Sequence, residues 1–126
     1  MESKKCFCDT GLLFEKCCGL YLQGNQKAPS ALALMRSRYS AYANHNADYL
    51  WETTHVSERQ YYSKEEILKW ATSNKWQKLE ILSFTENTVE FKAYFLDANQ
   101  KPQTHYEFST FKIENNSWYY LDGKFE

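Results

Sequence analysis

Proline and glycine are scarce in this chain, with two prolines and four glycines in 126 residues. So few leave no extended proline-rich linker and no Gly-rich loop of the kind that cradles phosphate. No apolar run approaches the roughly 20 residues that span a bilayer, and no internal repeat is visible. An excess of one charge is missing as well. Fifteen Lys and Arg against sixteen Asp and Glu give a formal net charge of −1, which excludes the global attraction to nucleic acid that a basic domain exerts. Paired catalytic carboxylates and a Ser/His/Asp arrangement do not stand out, and cysteine is absent after residue 18.

All four cysteines fall within thirteen residues, Cys6-Phe7-Cys8-Asp9-Thr10-Gly11 and then Cys17-Cys18. A pair separated by one residue, a short loop and an adjacent pair can fold four sulfurs around one point. That is the tetrahedral arrangement of structural zinc, which leaves no position for water or substrate. Gly11 suits a loop that returns on itself. Disulfides are the alternative, with three connectivities open. Met1-Glu2-Ser3-Lys4-Lys5 runs into the cluster with no apolar stretch, so the chain is expected to lack a signal peptide, to be cytoplasmic and to keep its thiols reduced. Structural Zn²⁺ is preferred to catalytic zinc and to disulfides. Lys4, Lys5 and Lys16 are placed to offset the negative charge of four thiolates around one ion. A redox sensor, in which oxidised thiolates eject the metal, is a third reading.

The length suits one compact domain with a small appendage: residues 1–27 as zinc knuckle and connector, 28–126 as the main domain. Ser30 after Pro29 is a good N-cap for a helix running to about His45. Leu32, Met35, Tyr39 and Tyr42 are spaced to face the core. Asp48 to Thr53 reads as a short second helix. Ser63-Lys64-Glu65-Glu66 is a capping box opening a third, which carries Ile67, Leu68, Trp70 and Ala71 and ends near Asn74. The period then changes. Lys78 to Phe84 is a strand, and Val89, Phe91, Ala93 and Phe95 alternate with polar neighbours in a second. His105 to Glu114 and Trp118 to Leu121 flank an Asn115-Asn116 hairpin turn. Three helices followed by a four-stranded, mainly antiparallel meander predict an α+β fold, with the helices packed on one face of a curved sheet.

The spacing Cys-x-Cys-x-x-Gly-x5-Cys-Cys-Gly resembles the SEC-C motif, a small zinc-binding module. The resemblance implies Cys6, Cys8, Cys17 and Cys18 as ligands and Gly11 as the turn glycine, with Gly19 after the last ligand. Phe7 and Asp9-Thr10 stand where the motif usually has Pro and Gly-Ser. Leu34-Met35-Arg36-Ser37-Arg38-Tyr39-Ser40-Ala41-Tyr42 is similar to the LMRSRYSAY signature of the YchJ-like proteins. Tyr49-Leu50 with Thr53 and His55 continues the likeness, although Thr54 and Val56 replace Trp and Pro. So do Glu107-x-Ser109-x-Phe111 and Trp118-Tyr119-Tyr120-x-Asp122-Gly123. The resemblance implies a fold similar to nuclear-transport-factor-2-like proteins, a cone of helices against a bent sheet. Many such proteins carry a second SEC-C segment, and this chain, which stops at Glu126, is expected to be a short form. No activity comes with the likeness.

Cone-shaped folds often hold a ligand between sheet and helices. His105, Glu107, Ser109 and Phe111 share one strand face. Arg36 lies three residues before Tyr39 and Arg38 four before Tyr42, so an arginine can sit beside a tyrosine on the inner edge of the first helix. Arg36, Arg38, Tyr39, His55, Glu107 and Ser109 are therefore the candidate ligand-pocket residues. Against that stands a purely structural ion pair. His55 is the candidate general base, or else a capping residue; His45 suits a helix end and His105 an exposed strand start. Tyr61-Tyr62 and Trp118-Tyr119-Tyr120 could stack on bases, but without net positive charge core packing suits them better. The preferred function is a non-enzymatic adaptor that contacts a protein or ribonucleoprotein through the zinc knuckle. The alternative is a small-ligand receptor or enzyme using the cone, with an arginine on an anion, Glu107 pairing it and His55 or Tyr39 handling protons. An open polar cavity favours the second; a cone packed solid with aromatics ends it.

Overall fold

The computed structural model describes residues 6, 14, 17–24 and 26–125. Cys8, Gly11, Lys4, Lys5 and Lys16 lie outside them, and with them the loop of the knuckle. A short helix, α1 (Gly19–Leu22), follows the cysteines. Then come α2 (Ala31–Ala43), α3 (Ala47–Glu52), a 3₁₀ helix (Val56–Tyr61) and α4 (Lys64–Ser73). Strands β1 (Lys75–Phe84), β2 (Thr88–Leu96), β3 (Pro102–Glu114) and β4 (Ser117–Phe125) form one antiparallel sheet in the order β1-β2-β3-β4. The α+β architecture expected from the pattern is the one observed. Among the described residues no helix is long and apolar enough to cross a membrane.

The helix starts are set by side chains that accept from otherwise unpaired backbone N–H groups. Ser30 accepts from the Ala33 N–H at 3.1 Å, Asn46 from Tyr49 at 3.0 Å and Ser63 from Glu66 at 3.1 Å. Helix α2 ends two residues earlier than its apolar spacing suggests. The Asn46 N–H donates to the Ala41 carbonyl and the His45 N–H to that of Tyr42, with His45 at φ 57°. This is the paired closure that ends a helix on a left-handed residue.

Helix α2 lies across the sheet and is buried nearly all round. Leu34, Met35, Ser37, Arg38, Tyr39, Ser40 and Ala41 are buried, while Leu32 and Tyr42 are partly so. Met35 and Tyr39 meet Leu79, Val89, Phe91, Ala93, Phe111 and Tyr120 from the sheet in one core cluster. On α4 only Ala71 is buried; Leu68 and Trp70 keep more than two-fifths of their surface. Strand β1 begins at Lys75, three residues before the expected Lys78, because a register shift between Trp76 and Lys78 breaks the alternation. Trp76 packs inward against Tyr39, Tyr42, Trp70 and Phe95. Shifts at Ile81/Ser83 and Thr110/Phe111 add to the bend of the sheet. Asn115 and Asn116, at φ 52° and 65°, make the two-residue turn whose twist matches the flanking strands. The segment after α3 joins β4 through a parallel bridge: the His55 N–H donates to the Tyr120 carbonyl and the Tyr120 N–H to that of Thr53.

Candidate functional site

Two places gather chemistry. The first is the cysteine cluster. Cys6 and Cys18 are buried and Cys17 is half-buried, and their sulfurs lie within 4.8 Å of one another. The Cys17 and Cys18 sulfurs are 4.0 Å apart, too far for the roughly 2.05 Å of a disulfide. Thiolates bound at about 2.3 Å to one tetrahedral zinc stand about 3.8 Å apart, so this group is able to hold a metal ion. The cluster is not detached from the domain. Cys6 and Cys18 belong to the core cluster, and Cys6 Sγ lies 3.4 Å from Ser40 Oγ of α2. Gly19 permits the tight approach behind it, since a Cβ there would fall 2.6 Å from the Phe14 carbonyl oxygen.

The second is a cavity of about 200 Å³ between α2, α4 and the sheet. Helix α2 contributes Met35, Arg38 and Tyr42, α4 contributes Ile67 and Trp70, and Phe91, His105, Glu107 and Tyr120 come from β2, β3 and β4. Thr54 and Tyr62 complete it. Of the residues singled out from sequence, Arg38 and Glu107 face this space together. Ser109 sits behind Glu107 and donates to Glu107 Oε2. Tyr39 is buried in the core with its ring against Trp76, and Arg36 is half-buried on α2 away from the lining.

His55 is placed elsewhere. Its Nδ1 accepts from the Ser57 N–H at 3.2 Å and so caps the 3₁₀ helix; Ser57 Oγ lies 2.8 Å from the same nitrogen. Its Nε2 is 2.7 Å from Glu114 Oε2, which holds the Glu114 carboxyl below its ordinary value. Tyr42, His105 and Tyr120 were not among the candidates, although His105 shares its strand face with Glu107 and Tyr42 its helix face with Arg38. Those two periodicities were the available signal.

Within the cavity Arg38 and Glu107 do not touch as an ion pair. Arg38 Nη1 donates to the Leu50 carbonyl at 2.9 Å, to Thr53 Oγ1 at 2.7 Å and to Thr54 Oγ1 at 3.4 Å, while its guanidinium carbon stands 4.6 Å over the Tyr120 ring. Glu107 lies 3.0 Å from His105 Nε2 and accepts from Ser109 and from the Tyr120 hydroxyl. Burial first, then the Glu107 charge, pushes the Tyr120 hydroxyl far above the ordinary tyrosine value. Burial also raises Tyr42 and Tyr49, against a smaller opposing pull from Arg38 on each.

Residues 30–123 match the family described as YchJ, middle NTF2-like domain. The chain belongs to the YchJ family. A UPF0225 protein of Geobacter sulfurreducens is 37% identical over 125 residues, covering 94% of this chain and 77% of its own length. The solution structure of a SEC-C motif containing protein from Rhodopseudomonas palustris is similar at a TM-score of 0.86 and 35% identity, over 94% of this chain and 96% of that one. The crystal structure of a SEC-C motif containing protein from Psychrobacter arcticus follows at 0.79 and 33%, over 97% and 81%. The family match and the likeness read from the cysteines and the α2 sequence therefore agree.

The raised tyrosines make alkaline stability a direct readout of this packing. The folded state keeps protons that the unfolded chain releases near pH 10. Their contribution is thus fully present below pH 10 and lost as pH rises above it. Tyrosinate absorbance is expected in two phases, the second coinciding with unfolding. All ten tyrosines ionising in one step near pH 10 with the fold intact would contradict the burial.

Proposed function

We propose that this protein is a small-ligand-binding domain whose N-terminal cysteines form a structural metal clamp. The observation that carries the reading is the cavity that Arg38 and Glu107 both line without pairing to each other. Charged groups brought into one concave space and left apart form a binding site more readily than a scaffold. In the clamp Cys6, Cys17 and Cys18, with Cys8 as fourth ligand, would hold Zn²⁺ and fasten the N-terminal segment onto α2. Full thiolate coordination assigns the ion a structural role and no step in any reaction. Burial of Cys6 and Cys18 in the domain core supports a fastening more than a displayed contact surface.

The adaptor reading keeps one observation in its favour. A groove of about 470 Å³ runs between α1, residues 26–28, α3 and the start of β4, with Tyr21, Lys27, Tyr49 and Trp118 in its wall. Metal analysis combined with a native mass spectrum of protein taken from extract under mild conditions separates these readings. One equivalent of zinc released by thiol modification, with a small molecule retained, is the expected result. A retained protein and no small molecule favours the adaptor, and two disulfides with no metal overturns the clamp.

A further inference from the structure

The free edge of Arg38 points to the chemical class of the ligand. Three acceptors occupy Nη1, and among the described residues Nε and Nη2 make no hydrogen bond. Among the described residues no buried side-chain nitrogen or oxygen lacks a partner, so these two nitrogens open onto the space that Arg38 lines. Together they form the side-on edge of the guanidinium, whose two parallel N–H groups match the two oxygens of a carboxylate. The Nη1 bonds and the Tyr120 ring fix the plane of that fork before any ligand arrives. Arg38 is only 6% exposed, so an anion there is paired in a largely dry site, where a charged hydrogen bond counts for more than at the surface.

A second donor stands beside it. Tyr42, one helical turn on from Arg38, lines the same cavity, and among the described residues its hydroxyl makes no hydrogen bond. A tyrosine hydroxyl is protonated at neutral pH and so can donate, and burial raises this one further. The acceptor side is closed, because Glu107 already faces Ser109, Tyr120 and His105. Its fixed negative charge near a single cation disfavours a dianion such as a phosphate monoester. The remaining walls are apolar: Met35, Ile67, Trp70 and Phe91. At about 200 Å³ the space lies below the roughly 300–1,000 Å³ of sites for drug-sized ligands.

We propose that the cavity binds a small monocarboxylate with a flat or compact apolar body, its carboxylate on the Nε/Nη2 edge of Arg38 and the Tyr42 hydroxyl. This rests on the ligand-binding reading above and narrows it to one class. The test titrates the full chain, metal in place, with benzoate, benzamide and benzylamine, followed by backbone amide NMR shifts. Benzoate is expected to perturb the residues around Arg38, Tyr42 and Phe91, and to bind at least tenfold more tightly than either isostere. Arg38→Lys keeps the charge but not the fork and should weaken benzoate roughly tenfold or more. Arg38 also holds the Leu50 carbonyl, so Tyr42→Phe is the cleaner variant. It keeps the ring against Trp76 and should weaken benzoate several-fold, more than it weakens benzamide, while leaving the melting temperature unchanged. Benzamide or benzylamine bound in the cavity as tightly as benzoate, or benzoate indifferent to Tyr42→Phe, overturns the carboxylate assignment and leaves the ligand-binding reading standing. No perturbation of the cavity by any of the three overturns both.

Discussion

If the proposed clamp holds Zn²⁺, replacing Cys18 with Ser is expected to release it and to remove about 3–5 kcal/mol of stability while leaving the sheet folded. Cys18 is 1% exposed and opens α1, with its sulfur within 4.8 Å of those of Cys6 and Cys17. Loss of one thiolate from the proposed four-sulfur clamp would leave a poorer ligand in a buried place, where water cannot compensate. The cost stays well below the roughly 10–16 kcal/mol of apparent zinc affinity seen in isolated fingers. Such fingers have no other core, whereas here α2 and the sheet keep theirs. The segment before α2 should therefore detach first, and Ser40 should become accessible to solvent. Metal content by mass spectrometry and thermal melts with and without chelator check this. A Cys18→Ser variant with a full equivalent of zinc and an unchanged melt would remove the clamp from consideration.

Gly123→Ala is expected to cost the upper part of the roughly 1–3 kcal/mol typical of overpacking, and to disorganise the cavity. Gly123 lies opposite Ser109 in the β3–β4 register. A Cβ there would fall 2.4 Å from Glu107 Oε2, 2.4 Å from the Tyr120 hydroxyl and 2.7 Å from Glu107 Cδ. Neither side chain can step aside freely. Glu107 is buried and held by Ser109 and His105, while Tyr120 packs on Phe111 and under Arg38. Making room would break hydrogen bonds to a buried carboxylate, a dearer loss than strain at a surface turn. Adding Tyr120→Phe removes one of the three obstructing atoms and should return part of the stability, so the pair is non-additive. Denaturant unfolding of the two single variants and the double tests this; a Gly123→Ala curve coincident with the parent would show that the Glu107 corner is soft.

Much of the fold was legible because local chemistry and tertiary packing agree there. The Ser30 and Ser63 caps, the strict alternation of β2 and the Asn115-Asn116 turn each state their structure in a few residues. What was hidden was interrupted or long-range. The bulge after Trp76 masks the start of β1, and the one beside Phe111 accompanies a β4 that runs to Phe125 instead of stopping near Leu121. The 3₁₀ helix at Val56–Tyr61 went unread because its cap is a histidine, a residue that normally suggests reactivity before structure. For the site, strand and helix periods gave Glu107 with His105 and Arg38 with Tyr42 as pairs. No local pattern could say that Arg38 would spend one nitrogen on the turn after α3 and keep its other edge free. That depends on where residues 50–54 settle.

The parallel bridge between Thr54 and Tyr120 has a consequence for encounters between copies of this chain. An open sheet presents two rows of unpaired backbone groups, either of which can recruit a foreign strand. On the β4 side the strip 53–55 occupies the ladder at Tyr120 and interrupts that row midway. On the β1 side Lys75 and Lys78 and two register shifts break the other row with charge and irregular spacing. Both margins are therefore blunted, one by a packed strip and the other by charge and irregular spacing, against growth by strand addition.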